Sequence, residues 1–463
     1  MVLAKGGGGS AKLDATMARL SLFRGDFAWG VATSAFQIEG GREDGKGESI
    51  WDRFAATSGR MPDAGDVACD HYHRFEEDVA LMAGLAVNAY RFSIAWTRVL
   101  PQGRGQINQA GLDFYRRLVD RLLAAGITPW ATLYHWDLPQ VLQDEGGWPA
   151  RPTVDAFTEY TEVVTAALGD RVSHWITHNE PWVAAFLGHQ QGVFAPGLTD
   201  WRLALAAAHH LLLSHGRAVD VIRGNVPDAV VGIALDCRPS APASDRAEDV
   251  AAQRHFDGFR NRWFFDPVFG KGYPDDIQAS YRERGRWDGT LVKVGDLETI
   301  GVPIDFLGLN YYTSVTVAAG GEEDEETGVA PGSSPPPGYT EMGWPITPAA
   351  LTDYLGHLNR QYGPRRVVIT ENGASYSDGP GPEGTVSDQR RIDYLRDHIG
   401  AVEDALRQGV PMGGYFVWSL LDNLEWTHGF SQRFGLVWVD HATGRRIPKQ
   451  SYHWYADRIR AAR

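Results

Sequence analysis

Cysteine is nearly missing from this chain: Cys69 and Cys237 are the only two in 463 residues. No disulfide framework can be built from them, and a reducing, cytoplasmic setting is expected. Long apolar runs are missing too, since none reaches the roughly 18 residues of a membrane-spanning helix. Positive charge is in deficit: 44 Lys and Arg stand against 58 Asp and Glu, a formal net charge of -14. Nucleic acid and membrane are therefore excluded as expected partners, because both call for clustered Lys and Arg. Lysine is scarce and absent from every predicted strand end, which removes Schiff-base chemistry. Neither a GxSxG nucleophile elbow nor an HExxH zinc motif occurs. His71 with His73, and His209-His210 with His215, lack metal-ligand spacing, so no metal or other cofactor is expected.

What the chain does contain is ordinary globular material, with 43% hydrophobic and 22% charged residues, arranged in a regular alternation. Residues 1–17 carry Gly6-Gly7-Gly8-Gly9-Ser10 and read as a flexible linker or appended tail. From Phe27 onward, strand-like runs appear at 27–33, 86–95, 127–135, 174–179, 229–235, 304–311, 366–370 and 414–420. Amphipathic stretches separate them, such as 111–125 with Leu112, Tyr115, Leu118, Val119 and Leu122 on one face. About eight strand–helix repeats predict an α/β fold, a (β/α)8 TIM barrel forming a single domain over residues 18–463 with long βα loops. One stretch differs. Residues 318–339 hold Glu322-Glu323-Asp324-Glu325-Glu326 and Pro335-Pro336-Pro337 and read as a long surface loop above the sixth strand.

Two strands end in a carboxylate. Val367-Val368-Ile369-Thr370-Glu371-Asn372-Gly373 is an apolar strand running into Glu371 and then Asn-Gly, a turn-forming pair. Ile176-Thr177-His178-Asn179-Glu180-Pro181 repeats the design and is halted by Pro. A carboxylate at the lip of a buried strand is costly to desolvate and needs partners or a task. Two of them opening onto one cavity are the minimum equipment for glycoside hydrolysis. Other strand ends are polar or aromatic as well: Gln37, Arg91, His135-Trp136, Asn179, Asn310-Tyr311-Tyr312 and Trp418. The 16 Trp and 17 Tyr suit sugar-stacking surfaces as well as cores.

These motifs, in this order, resemble family 1 glycoside hydrolases, the β-glucosidase group. The likeness begins with Phe27-Ala28-Trp29-Gly30-Val31-Ala32-Thr33-Ser34-Ala35-Phe36-Gln37-Ile38-Glu39-Gly40. It continues through Tyr90-Arg91-Phe92-Ser93, His135-Trp136-Asp137-Leu138-Pro139, Asn179-Glu180-Pro181, Asn310-Tyr311-Tyr312, Ile369-Thr370-Glu371-Asn372-Gly373 and Glu425-Trp426. The resemblance implies a retaining, exo-acting β-glucosidase on terminal non-reducing β-D-glucosyl residues of small β-glucosides and cello-oligosaccharides. Some β-galactoside or β-fucoside activity is implied too. Glu371 would be the nucleophile, with Arg91 and Tyr312 favouring its charged form, and Glu180 the acid/base, its proton retained by the charge of Glu371. A retaining pair implies carboxyl groups about 5–5.5 Å apart. Gln37, His135, Glu425 and Trp426 would hold sugar hydroxyls, Asn179 the 2-hydroxyl, and Asn310 and Tyr312 would complete the substrate set. Trp418 would lie beneath the ring and Trp344 beside the aglycone.

Glu425-Trp426, with no lysine before Lys449, disfavours 6-phosphosugars, whose dianion a carboxylate repels. His178 and His189 depart from the family pattern. His178 reads as a packed neutral ring rather than a group tuning Glu180, and His189 leaves the aglycone preference open. A transglycosylating enzyme of the same fold is the alternative within catalysis, and a silent carbohydrate-binding barrel the alternative outside it.

Overall fold

The computed structural model describes residues 23, 25–320 and 338–463. The tail at residues 1–17 and nearly all of the acidic, proline-rich stretch lie outside the described residues. Eight parallel strands close on themselves: β1 (Ala28–Ala32), β2 (Ala89–Ser93), β3 (Thr128–Tyr134), β4 (His174–Asn179), β5 (Val230–Asp236), β6 (Phe306–Asn310), β7 (Val367–Asn372) and β8 (Met412–Trp418). Each pairs with its neighbours in sequence, and β8 pairs with β1, so the sheet has no edge. Helices α1 (His71–Gly84), α2 (Gln109–Ala124), α3 (Pro152–Leu168), α4 (Trp201–Asn225), α5 (Ala247–Asp257), α6 (Pro348–Tyr362), α7 (Gln389–Arg407) and α8 (Gln450–Ala462) follow the eight strands in turn. The predicted (β/α)8 order is therefore the observed one.

Two layers of apolar packing hold the barrel. Outward-facing residues such as Val367 and Ile369 join a shell with the buried faces of the helices, Leu112, Leu118 and Leu122 of α2 among them. Inward-facing residues such as Val368 instead meet Trp130, Phe306 and Phe416, which fill the barrel below the site. The rings of Phe306 and Phe416 lie 5.1 and 5.2 Å from that of Trp130, edge to face. This period-two division explains why β7 reads as a continuous apolar run, since both its faces are covered.

The ladder shifts register in the β4–β5, β6–β7 and β7–β8 pairings, and two of these shifts lie just before a strand-end carboxylate. Along β4 the pairing advances three residues, Ile176 to Asn179, while β5 advances two, Gly232 to Ala234. Along β7 it advances two, Ile369 to Glu371, while β6 advances one, Leu309 to Asn310. An extra residue in one strand bends it and re-aims the side chains that follow. Both bulges thus turn a glutamate toward the barrel mouth.

Candidate active site

The carboxylates expected to meet do meet. Glu180 and Glu371 line one hollow of about 360 Å³ at the C-terminal ends of the strands, where barrel enzymes place their chemistry. Asn310 at the end of β6 connects them. Its Nδ2 donates to Glu180 Oε1 at 2.6 Å, its side chain is also within hydrogen-bonding reach of Glu371, and its Oδ1 accepts from Thr370 Oγ1 at 2.6 Å.

Glu371 sits among donors. Arg91 Nη1 donates to its Oε1 at 2.6 Å and Tyr312 Oη to its Oε2 at 2.7 Å. Burial pushes this carboxyl up, and Arg91 first, then Tyr312, offsets part of that rise, leaving it above the ordinary carboxylate value. Among the described residues no cation is ion-paired with Glu180; Arg260, which faces it, is paired with Asp236. Burial raises the Glu180 carboxyl well above the usual range, and the charge of Asp236, then that of Glu371, raises it further. Of the two acids, Glu371 therefore gives up its proton first. The sequence named Glu371 as the charge acting on Glu180; Asp236, at the end of β5, precedes it.

Asn179 fixes a second chain of hydrogen bonds. Its Oδ1 accepts from Arg91 Nη2 at 2.6 Å and from Asn310 Nδ2 at 2.9 Å. Both partners are donors, so the amide can face only one way, and its Nδ2 donates to His135 Nε2, 3.0 Å distant. The proton of His135 consequently resides on Nδ1, a buried donor without a protein partner. Burial and nearby Arg91 keep this imidazole neutral. Glu425 likewise presents a buried, unpartnered Oε2; burial, then Glu371, pushes its carboxyl up to about 8. Unsatisfied polar atoms facing a hollow are costly unless something polar occupies it.

His135, Asn310, Tyr312, Trp344, Trp418, Glu425 and Trp426 line the hollow with the two acids. Trp344 lies beside Tyr312, ring centroids 5.4 Å apart. Gln37, Arg91 and Asn179 stand directly behind that wall. Gln37 is completely buried, its amide donating to Asn423 Oδ1 and the Leu424 carbonyl and accepting from Ser34. In this arrangement it braces the loop that presents Glu425.

Strain concentrates at the site. Among the described residues six non-glycines have left-handed φ, and three of them, Trp136 (+76°), Glu180 (+47°) and Trp426 (+45°), line the hollow. Such conformations persist only where the surroundings enforce them. The expected sharp turn at Asn372-Gly373 is absent: β7 runs on through Asn372, and Gly373 has no left-handed φ. Glycine is required there for close approach instead, because a Cβ would lie 1.9 Å from the Trp418 carbonyl oxygen.

Most of the other histidines noted in the sequence have structural partners. His178 is buried, bonded to Ser214 Oγ at 2.8 Å and stacked on Phe157. Its imidazole is kept neutral by burial, and the main influences on Glu180 come from burial, Asp236 and Glu371 instead. His189 is buried against the Ala184 carbonyl, and Leu187, Gln191, Val193 and Phe194 line the hollow in its place. His71 bonds Asp78, His209 bonds Asp296 and Tyr273, His210 bonds the Trp148 carbonyl and His215 bonds Thr177. Among the described residues no group of three or more His, Cys, Asp or Glu is placed to hold a metal ion. Lys449 is wholly buried with its Nζ 2.7 Å from Asp422, so it offers nothing to a phosphate. No described helix is long and apolar enough to cross a membrane.

Several lining residues escaped the sequence reading: Asp236, its ion-pair partner Arg260, Trp182 beneath that arginine, and Phe434. Asp236 was within reach of the same strand-end logic, one residue past the expected end of the fifth strand. Arg260 lies in a short helical turn and Phe434 in a loop, neither with a periodic signal to find it by.

Comparison with known proteins agrees with this geometry over nearly the whole chain. The model described as glycosyl hydrolase family 1 matches residues 20–463. Beta-glucosidase A of Acetivibrio thermocellus is 47% identical over 443 residues, covering 95% of this chain and 98% of that protein. A bifunctional beta-D-glucosidase/beta-D-fucosidase of Bifidobacterium breve is 44% identical over 458 residues, covering 94% of this chain and 97% of that protein. The solved beta-glucosidase from Thermotoga maritima in complex with glucoimidazole superposes with a TM-score of 0.89 at 46% identity, covering 95% of this chain and 99% of that one. Its closed barrel, its two carboxylates in one hollow and these likenesses agree: the chain belongs to glycosyl hydrolase family 1.

Proposed function

We propose that this protein is a retaining β-glucosidase that releases terminal non-reducing β-D-glucosyl units, with β-fucosides and β-galactosides as further substrates. The observation that carries the reading is the contrast between two carboxyls in one hollow. Glu371 is held by Arg91 and Tyr312, whereas Glu180 is bonded to the neutral amide of Asn310, and the cation near it, Arg260, is paired with Asp236. The names of the relatives support the same substrate class.

In this reading Glu371, the more readily ionised acid, attacks the anomeric carbon while Glu180 donates its proton to the departing oxygen. The glycosyl ester that forms removes the charge of Glu371. Glu180, now ionised, takes a proton from water, which attacks the same carbon and restores the original configuration. His135 Nδ1–H and the Glu425 carboxyl serve sugar hydroxyls, and Gln37 reaches them or braces Glu425. Asn179 reads the 2-hydroxyl through the one Nδ2 hydrogen that His135 leaves over. Trp426 serves a sugar hydroxyl through its indole N–H, Trp418 supplies apolar surface beneath the ring, and Trp344 that for the aglycone.

The test uses an aryl β-glucoside. Glu371→Ala abolishes hydrolysis, and azide restores turnover as an α-glycosyl azide. Glu180→Ala is also rescued by azide but gives the β product. Wild-type activity in either variant, or the opposite anomer from either rescue, refutes the assignment.

A further inference from the structure

The fifth strand brings a charge to the hollow that the two-carboxylate scheme leaves unused. Asp236 closes β5. The β4–β5 register sets Asn179 opposite Ala234, and the Glu180 amide donates to the Ala234 carbonyl at 2.9 Å. Asp236 and Glu180, on neighbouring strands, thus open onto the same hollow. Beyond Asp236 stands Arg260, ion-paired with it, both side chains more than nine-tenths buried. Arg260 comes from the helical turn Gly258–Arg262 and lies flat on Trp182, its guanidinium carbon 3.7 Å from the ring centroid. Trp182 is two residues past Glu180, so the acid's own loop carries the platform on which the arginine rests.

The groups facing Glu180 are few. Asp236 comes from β5, Arg260 from the helical turn and Glu371 from β7, with Asn310 and Tyr312 as neutral donors. Arg260, Arg238, Cys237 and Glu180 surround Asp236. The two acids beside Glu180 differ in one respect. Glu371 loses its charge when the glycosyl ester forms, whereas Asp236 takes part in no bond; burial pushes its carboxyl up, and the Arg260 ion pair opposes this and holds its charge.

We propose that Asp236, clamped by Arg260, is a positioning residue for acid/base catalysis: its constant charge keeps the proton on Glu180 in the first step and keeps Glu180 basic in the second. This rests on the reading of Glu180 as the acid/base. In the free enzyme Asp236 and Glu371 act together, and burial adds to both. Once Glu371 is esterified, Asp236 is the remaining anion beside Glu180, and a carboxylate held next to a fixed charge is the better proton acceptor.

The experiment is the pH profile of kcat/KM for D236N on an aryl β-glucoside with a poor leaving group. Removing the charge makes Glu180 lose its proton sooner, so the alkaline limb moves to lower pH by about one unit, while the acid limb, set by Glu371, stays. With a 2,4-dinitrophenyl glucoside, whose departure needs no proton, the first step of the variant loses its extra sensitivity to high pH. An alkaline limb unchanged in a natively melting D236N overturns the proposal. Azide rescue of Glu180→Ala is scored separately, so failure of the acid/base assignment is distinguishable. Should D236N not melt as a native protein, carboxyl-carbon NMR titration of the wild type decides. Glu180 protonated well above the usual carboxylate range, with Asp236 ionised beside it, supports the proposal; Asp236 protonated over that range overturns it.

Discussion

Removing one hydroxyl, in Tyr312→Phe, should move the acid side of the activity profile. Tyr312 Oη donates to Glu371 Oε2 at 2.7 Å, and its ring is fixed independently by Trp344 and Phe434, at centroid distances of 5.4 and 6.1 Å. The phenylalanine variant therefore keeps its packing and loses only the donor. A hydrogen bond to a charged acceptor contributes roughly 1.5–3 kcal/mol, and the part that matters is the preference for carboxylate over carboxylic acid. If about 1.4 kcal/mol of it discriminates, the Glu371 carboxyl rises by about one unit. The sign follows from the charge: a donor that stabilises the ionised form is gone, so a higher pH is needed to ionise the nucleophile. Arg91 remains at 2.6 Å, so the charge is not left unsupported. In kcat/KM for an aryl β-glucoside, the acid limb of the coupled pair should shift upward by about one unit, with about a tenfold loss below it. An acid limb unmoved, or moved downward, would refute the role given to this hydroxyl.

Three further outcomes follow from other parts of the molecule. Glu425→Ala should lower kcat/KM on a glucoside by roughly 2–3 kcal/mol, about 30- to 150-fold, because a buried sugar hydroxyl loses its partner; Glu425→Gln, which can still hydrogen-bond, should lose less, and equal losses would argue against a direct contact. Gly373→Ala should lower both the apparent melting temperature and activity, at a cost of about 1–3 kcal/mol, because its Cβ would strike the Trp418 carbonyl; Gly400→Ala, with nothing within 4 Å, is the control and should keep wild-type activity. Asp78 is buried with His71 at 2.8 Å and Arg446 at 2.9 Å; burial pushes its carboxyl up, but these partners more than offset that and leave it below the usual range. Its stabilisation is thus full above the ordinary carboxylate range and fades as pH falls through the lowered value. Asp78→Asn should therefore lose about 3–5 kcal/mol near neutral pH, with a gap to wild type that narrows in acid, measured by chemical denaturation at several pH values.

The sequence made the barrel readable because each strand is an apolar run ended by a polar or aromatic residue, and each helix shows a clear buried stripe. Glu180 and Glu371 stood out for the same reason, since an apolar strand seldom ends in an acid without cause. What could not be read is what the ladder does locally. The bulges before Asn179 and Glu371 leave no compositional trace, yet they aim both carboxylates. Asp236 was overlooked because β5 looked complete at Leu235, and Arg260 because its short helical turn has no amphipathic pattern. Gly373 was assigned the right importance for the wrong reason: Asn-Gly signals a turn locally, and only the neighbouring strand reveals that space is what the position needs.

The left-handed backbones of Trp136, Glu180 and Trp426 carry a consequence for how this protein can change. Each such residue costs on the order of 1–3 kcal/mol, so together they consume an amount comparable to the net stability of an ordinary domain. Substitutions that relaxed them would toughen the fold while swinging a proton donor or an indole out of aim. Heat tolerance and turnover therefore pull against each other at the rim of this barrel, and the outer helices, remote from all three, are where robustness can be gained without slowing the enzyme.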